Sequence, residues 1–335
     1  MLDSQLEKTV IKLYKDVGEI IDSKRVKEGY LSNNQIIRNK SQKFFLKQYN
    51  QEHTIEKIEE IFKVSEFFYS NNIPIVLPIR NNLKQLYFQF NSNIYALFPF
   101  IESQSVSRNN IKKENIISLA ETLAKMHLLS SKGIPIQINS YQKTANREKF
   151  LNTYAEIMDV LESKKQLNTF DKLALKNLKH KKLLVEKSSE IENQSISTYF
   201  NHLLHGDYHE KNVFFDKLGN VEYIFDLDMA KIGNRLSELI RSMDFICLNT
   251  DYESTENLEK AKLYIHTYKK IYPFKKKDFE IALREYSIKK AHSLWIESTH
   301  YLNHSSRVDY FLENEIRILN YFPKNSETFI KKLEI

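Results

Sequence analysis

The 335-residue sequence has a single cysteine, Cys247, which excludes an internal disulfide and any zinc site built from several thiolates. It stands in the apolar stretch Phe245-Ile246-Cys247-Leu248, which predicts a buried, inert thiol. Glycine and proline number only 6 each, which argues against long flexible linkers. No apolar run approaches the roughly 20 residues of a membrane span. Asp3, Glu7, Lys8, Lys12 and Lys15 interrupt the first twenty residues, so no signal peptide is visible and a cytoplasmic protein is expected. The one tryptophan, Trp295, is expected in the core. Net charge is +7 and the pI is near 9.0. The basic runs Lys179-His180-Lys181-Lys182 and Lys275-Lys276-Lys277 are short and lack interleaved aromatics. They read as solvated helix faces and loops, and no nucleic-acid partner is expected.

What is present suits a soluble globular chain of one large or two modest domains, with 41% hydrophobic and 28% charged residues. Leu6, Val10, Leu13 and Val17 predict a helix over residues 2–21. Short strands are expected at 26–30, 35–38, 43–49, 75–79, 86–90 and 94–98. A helix capped by Thr54 is expected to run to Tyr69. Residues 115–129 form a helix with His127 on its buried face. Helices are expected across 148–200, 236–248, 257–272, 277–302 and 308–321. Tyr301, Trp295, Glu297 and His300 are pocket candidates by position on the last part of the 277–302 helix.

The chemistry concentrates in His205 to Lys231, HGDYHEKNVFFDKLGNVEYIFDLDMAK. Asp216-Lys217-Leu218-Gly219-Asn220 is a turn cluster between two runs rich in β-branched and aromatic residues, so a β-hairpin is predicted. Centring the turn near Gly219 sets Asn212 opposite Asp226, with Asp207 just before the hairpin and Asp228 just after it. Oxygen donors at Asn212 and Asp226 suit a hard divalent cation such as Mg²⁺. Asp207, free of the strand, can accept a proton from a hydroxyl. An Asp base, an Asn five residues on and a metal-binding Asp beyond the next strand form a kinase layout.

HGDYHEKN followed by FDLD resembles the aminoglycoside phosphotransferase and choline kinase superfamily. The resemblance implies an α+β, bilobal protein-kinase-like fold, with a small antiparallel-sheet lobe over residues 1–100 and a mostly helical lobe over 101–335. It implies ATP and Mg²⁺ as cofactors and a small-molecule hydroxyl as acceptor. Asp207 would be the base, Asn212 and Asp226 metal ligands, and Asp228 a second metal ligand or an acceptor for loop N–H groups. Lys47, on the third strand, would steer the nucleotide phosphates. Gly29-Tyr30-Leu31-Ser32-Asn33-Asn34 is similar to the phosphate loop of small-molecule kinases, with Ser32 and Asn33 shaping the turn. The helix partner of Lys47 falls at Glu60 if one loop is a residue longer than usual. Ala96-Leu97-Phe98-Pro99-Phe100-Ile101 resembles the interlobe hinge, with Phe98, Phe100 and Ile101 around the adenine. His209, two residues after the base, would touch the transferring phosphate. Arg235 and Glu238 resemble a structural R-x-x-D. An amino alcohol, a homoserine-like or a sugar-like acceptor fits this reading. An aminoglycoside antibiotic acceptor is the alternative, as is a catalytically silent nucleotide-binding protein of the same fold.

Overall fold

A computed structural model describes residues 2–26, 33–50, 53–143, 145–188 and 201–335. The chain forms two compact units: Met1–Ser107 with Pro135–Ser140 and His205–Ala230, and Arg108–Ile134 with Tyr141–Leu204 and Lys231–Ile335.

In the first unit Asp3 caps helix α1 (Ser4–Leu13) by accepting the N–H groups of Gln5 and Leu6, both at 3.0 Å. Leu6 and Val10 form its buried stripe. The helix stops short of the expected Ile21, because a 3₁₀ turn at Lys15–Val17 runs into Gly18 at φ +61°. Strands β1 (Asp22–Arg25), β2 (Gln35–Arg38) and β3 (Lys43–Gln48) lead to α2 (Ile55–Ser70), then β4 (Phe88–Phe90) and β5 (Asn93–Pro99). Thr54 caps α2 as expected, accepting from Lys57 N–H. The sheet is antiparallel, in the order β1-β2-β3-β5-β4. Ile37, Phe44, Leu46 and Leu97 pack with Leu6 and Val10 of α1 in one apolar core. The expected strand at 75–79 is reduced to an isolated bridge between Ile75 and Ile224. Pro74 and Pro78 have no N–H to give a ladder there.

The second unit is mostly helical. It opens with α3 (Lys113–Leu129), α4 (Arg147–Glu162) and α5 (Thr169–Ser188), followed by strand β6 (His202–Leu204). The part of the expected 148–200 helix beyond Ser188 lies largely outside the described residues. The hairpin β7 (Val213–Phe215) and β8 (Val221–Ile224) belongs to the first unit. The chain then continues through β9 (Lys231–Gly233), α6 (Arg235–Met243), α7 (Thr255–Ile271), α8 (Lys276–His292), α9 (Trp295–Tyr301) and α10 (Leu312–Lys332). A β6–β9 ladder sets Leu204 opposite Lys231. The single helix expected over 277–302 is broken, because Ser293 turns extended and gives its carbonyl to the Lys181 ammonium at 2.6 Å. Helix α10 runs past the expected Tyr321 and through Pro323, carried by the buried Phe322, Phe329 and Ile330.

Burial overturns two expectations. Lys181, in a run read as solvated, is fully buried and paired with Glu297 and Glu315. Trp295, expected in the core, is 48% exposed and packs at an angle on Phe311. Of the other pocket candidates, Glu297 and Tyr301 are buried and His300 pairs with Asp309 at 2.9 Å. Cys247 is buried as expected. His127 is buried too: its Nε2 meets the Glu238 carboxylate at 2.9 Å and its Nδ1 the Tyr268 hydroxyl at 2.8 Å. Arg235 donates to the same hydroxyl at 2.9 Å. Among the described residues no helix is long and apolar enough to cross a membrane.

Candidate active site

His205 anchors the loop that precedes the hairpin. Its Nδ1 accepts the Asp207 N–H at 3.2 Å, and its Nε2–H donates to the Phe225 carbonyl at 3.1 Å. One buried imidazole thus ties the loop to the residue that follows β8. Gly206 makes the approach possible. At φ +85° a Cβ here would sit 1.9 Å from the Met229 carbonyl oxygen, so no side chain fits.

A 3₁₀ turn at Glu210–Asn212 brings the Asn212 amide back to Asp207. Asn212 Nδ2 donates to the Asp207 carbonyl at 2.9 Å and to its Oδ2 at 3.3 Å, leaving Oδ1 as the oxygen it can offer a cation. His209 Nδ1 accepts the Lys211 N–H at 3.2 Å, and its Nε2 faces Asp207 Oδ2 at 3.3 Å. Two side chains therefore orient one carboxylate oxygen of Asp207.

The hairpin register is one residue tighter than expected. Val213 stands opposite Ile224, and Phe225 N–H donates to the Asn212 carbonyl at 2.9 Å. An irregularity between Phe214 and Phe215, where Phe215 pairs with Val221, absorbs the difference. Asp226 falls just beyond the ladder at φ +66°. A non-glycine residue in this left-handed region costs roughly 1–2 kcal/mol and points to a functional constraint.

Lys47, on β3, turns to this point. Its ammonium lies 2.9 Å from Asp226 Oδ1 and 2.6 Å from Asp228 Oδ1, over the rings of Tyr49 (5.0 Å) and Phe225 (5.3 Å). Burial alone would lower the Lys47 pKa, but the two carboxylates outweigh it and raise it. Burial also pushes Asp228 up, to about 7, against the pull of Lys47. At Asp226 the ammonium wins over burial and holds the carboxyl below its usual range. Phe225 also packs edge-on against Phe45 (5.3 Å) and Phe98 (5.0 Å), giving an aromatic wall beside Lys47.

Other expected residues lie elsewhere. Glu60 does not reach Lys47. It accepts from Asn139 N–H at 2.6 Å and Ser140 Oγ at 2.7 Å. Asn33 accepts from the Arg25 guanidinium across β1 and β2, and Ser32 lies outside the described residues. Phe100 departs from Phe98: it lines a cavity of ≈ 460 Å³ with Tyr14 and Phe44, under the Lys43 ammonium at 5.1 Å. Ile101 follows as a half-buried residue of the same segment. Sequence reasoning missed Gly206, Tyr49 and Phe225. Phe225 alone left a signal, as the aromatic directly before Asp226. Asn212, Asp226 and Asp228 are oxygen donors of the kind a hard cation prefers. Among the described residues no three His, Cys, Asp or Glu side chains form a metal cage by themselves.

A family model described as the phosphotransferase enzyme family matches residues 22–274. The chain belongs to this family. A comparison with curated protein sequences finds no match. Several solved structures share the fold of this phosphotransferase. Spectinomycin phosphotransferase in complex with ADP and spectinomycin has a TM-score of 0.70 at 16% identity, over 100% of this chain and 98% of that one. Amicoumacin kinase in complex with AMP-PNP and Ca²⁺ gives 0.66 at 12%, over 99% and 93%. Choline kinase from Cryptosporidium parvum Iowa II gives 0.61 at 13%, over 99% and 98%. The fold is thus the protein-kinase-like α+β type of aminoglycoside phosphotransferases and choline kinases, with a small antiparallel sheet and a mostly helical remainder.

Proposed function

We propose that this phosphotransferase moves the γ-phosphate of ATP to a hydroxyl of a small molecule. The observation that carries the reading is Asp207 held by Asn212 and His209, in the same compact unit as the Lys47 ammonium between Asp226 and Asp228. Asp207 accepts the proton of the acceptor hydroxyl as its oxygen attacks phosphorus. Asn212 and His209 hold one oxygen of the Asp207 carboxylate and so aim the group at the acceptor, and His209 lies where it would touch the transferring phosphate. Lys47 binds the phosphates and gives up part of its hold on the two carboxylates to do so. Phe98 and Phe225 offer faces on which an adenine packs, with Phe100, Ile101, Ser32 and Asn33 completing the nucleotide side. Asn212, Asp226 and Asp228 would hold Mg²⁺, which supplies charge neutralisation on the phosphate oxygens when bound. On this reading residues 1–100 are the nucleotide-binding lobe, to which Ile101 and Phe225 add, and residues 101–335 are the catalytic and substrate-binding lobe.

The test combines binding with turnover. ATP with Mg²⁺ raises the melting temperature of the wild type and of Asp207→Ala alike. Across a panel of amino alcohols, sugars, hydroxy acids and antibiotics the wild type forms ADP and phosphorylated acceptor. Asp207→Ala loses roughly 10²–10⁴ in kcat, the usual contribution of a general base. Equal rates for the two proteins sink the catalytic reading and leave a nucleotide-binding protein. The likeness to spectinomycin phosphotransferase favours an aminoglycoside as the second acceptor reading, and the antibiotic arm of the panel decides it.

A further inference from the structure

Lys47 is a point charge on a flexible stem, so whatever holds its ammonium decides where it can meet a phosphate. Its side chain is only 4% exposed, and a buried ammonium needs an anion beside it. The helix residue expected in that place, Glu60, is spent elsewhere: Asn139 N–H takes one of its carboxylate oxygens and Ser140 Oγ the other. Lys57, about one turn earlier on α2, donates to the Ala230 carbonyl at 3.0 Å and to Ser140 Oγ at 2.8 Å. Helix α2 is thus fastened to residues 139–140 and to the loop that follows Asp228.

Two carboxylates share the Lys47 ammonium, and they are not equivalent. Asp228 Oδ1 is nearer, at 2.6 Å against 2.9 Å for Asp226 Oδ1, and the Asp228 side chain is 20% exposed against 37%. Asp226 is therefore the more accessible of the two to an incoming cation, which would compete with the ammonium for it. Asp228 is set from behind. Leu227 is buried, and its carbonyl accepts the Ala230 N–H at 2.9 Å, closing a turn with Asp228 at its second position. The Ala230 carbonyl at the end of that turn is the one Lys57 holds.

We propose that Asp228 is the standing anchor of Lys47. It positions the ammonium for the nucleotide phosphates in the place expected of a helix glutamate, and it keeps its hold when Asp226 turns to a cation. Its Oδ1 is spent on the ammonium, so Oδ2 is what it can offer an ion. The role in turnover rests on the kinase reading; the pairing of Lys47 with Asp228 does not.

The test is a pair of double-mutant cycles on the full chain. The first follows denaturant unfolding without nucleotide or metal for wild type, Lys47→Met, Asp228→Asn and the double variant, and again with Glu60→Gln in place of Asp228→Asn. Lys47 and Asp228 couple by about tenfold in the unfolding constant, within the range for groups in contact, and Lys47 and Glu60 do not couple. The second follows turnover. Asp228→Asn raises KM for ATP about tenfold, leaves KM for the acceptor unchanged and adds nothing in the Lys47→Met background. Glu60→Gln leaves both KM values unchanged. Asp228→Glu, which keeps the charge, carries the same cycles if the amide variant does not fold. Additive effects of Asp228→Asn and Lys47→Met overturn the proposal, because a metal ligand independent of the lysine behaves that way. A Glu60→Gln protein whose KM for ATP rises as much as that of Asp228→Asn overturns it too. If the pair couples in stability while ATP with Mg²⁺ neither shifts the melt nor turns over, the kinase reading fails alone. If ATP turns over and the coupling is absent, this inference fails alone.

Discussion

At the residue scale, the environment decides what an ionisable side chain does. His127 meets a carboxylate on one ring nitrogen, an arrangement that often charges an imidazole. Here burial outweighs Glu238 and holds the pKa below 6.5. The hydrogen bonds suit the neutral ring: Nε2–H donates to Glu238, and Nδ1 accepts from the Tyr268 hydroxyl, which in turn accepts from Arg235. The consequence for stability has a definite sign. Below about pH 6.5 the unfolded imidazole takes up a proton that the folded one refuses, so stability falls as pH falls. Each unit of depression is worth about 1.4 kcal/mol. Denaturant titrations at pH 7, 6 and 5 should show this decline in the wild type. They should show a shallower one in His127→Gln, which does not titrate; parallel declines would place the effect elsewhere.

At the element scale, the loop before the hairpin depends on the absence of a side chain. A Cβ at Gly206 collides with backbone atoms of Met229, and φ +85° is strained for any L-residue. Gly206→Ala should therefore displace Asp207 and, on the proposed reading of Asp207 as the base, lower kcat at least about tenfold, while the far-UV spectrum is kept. Helix α10 offers the opposite case. Pro323 is exposed, leaves the Leu319 carbonyl without its helical N–H partner and lies outside the buried face of the helix. Pro323→Ala should stabilise the protein by roughly 1–3 kcal/mol, read as a rise in denaturation midpoint. The same elements show what the sequence could reveal. The hairpin, the Asp207–Asn212 spacing and the Thr54 cap were legible because each is set by residues a few positions apart. The break at Ser293 was not, since its carbonyl is taken by Lys181, 112 residues away. Nor was the fate of Glu60, fixed by Asn139 and Ser140, nor the one-residue register shift at Phe215. The three-residue strands β6 and β9 carry too little periodicity to be seen.

At the scale of the whole molecule, long-range charge clusters hold helices together that the chain order keeps apart. Lys181 on α5 reaches Glu297 on α9 at 2.9 Å, Glu315 on α10 and the Ser293 carbonyl, all within a core built from those helices. Glu297 is fully buried and Glu315 nearly so. Burial would lower the lysine's pKa, but the two carboxylates raise it. Removing one partner of such a cluster leaves the others uncompensated, typically at about 3–5 kcal/mol. Lys181→Met should therefore lower the denaturation midpoint sharply, because it takes the cation away from two buried glutamates, one of which, Glu315, burial already pushes up. Acid should soften the loss, because protonating Glu315 relieves the repulsion.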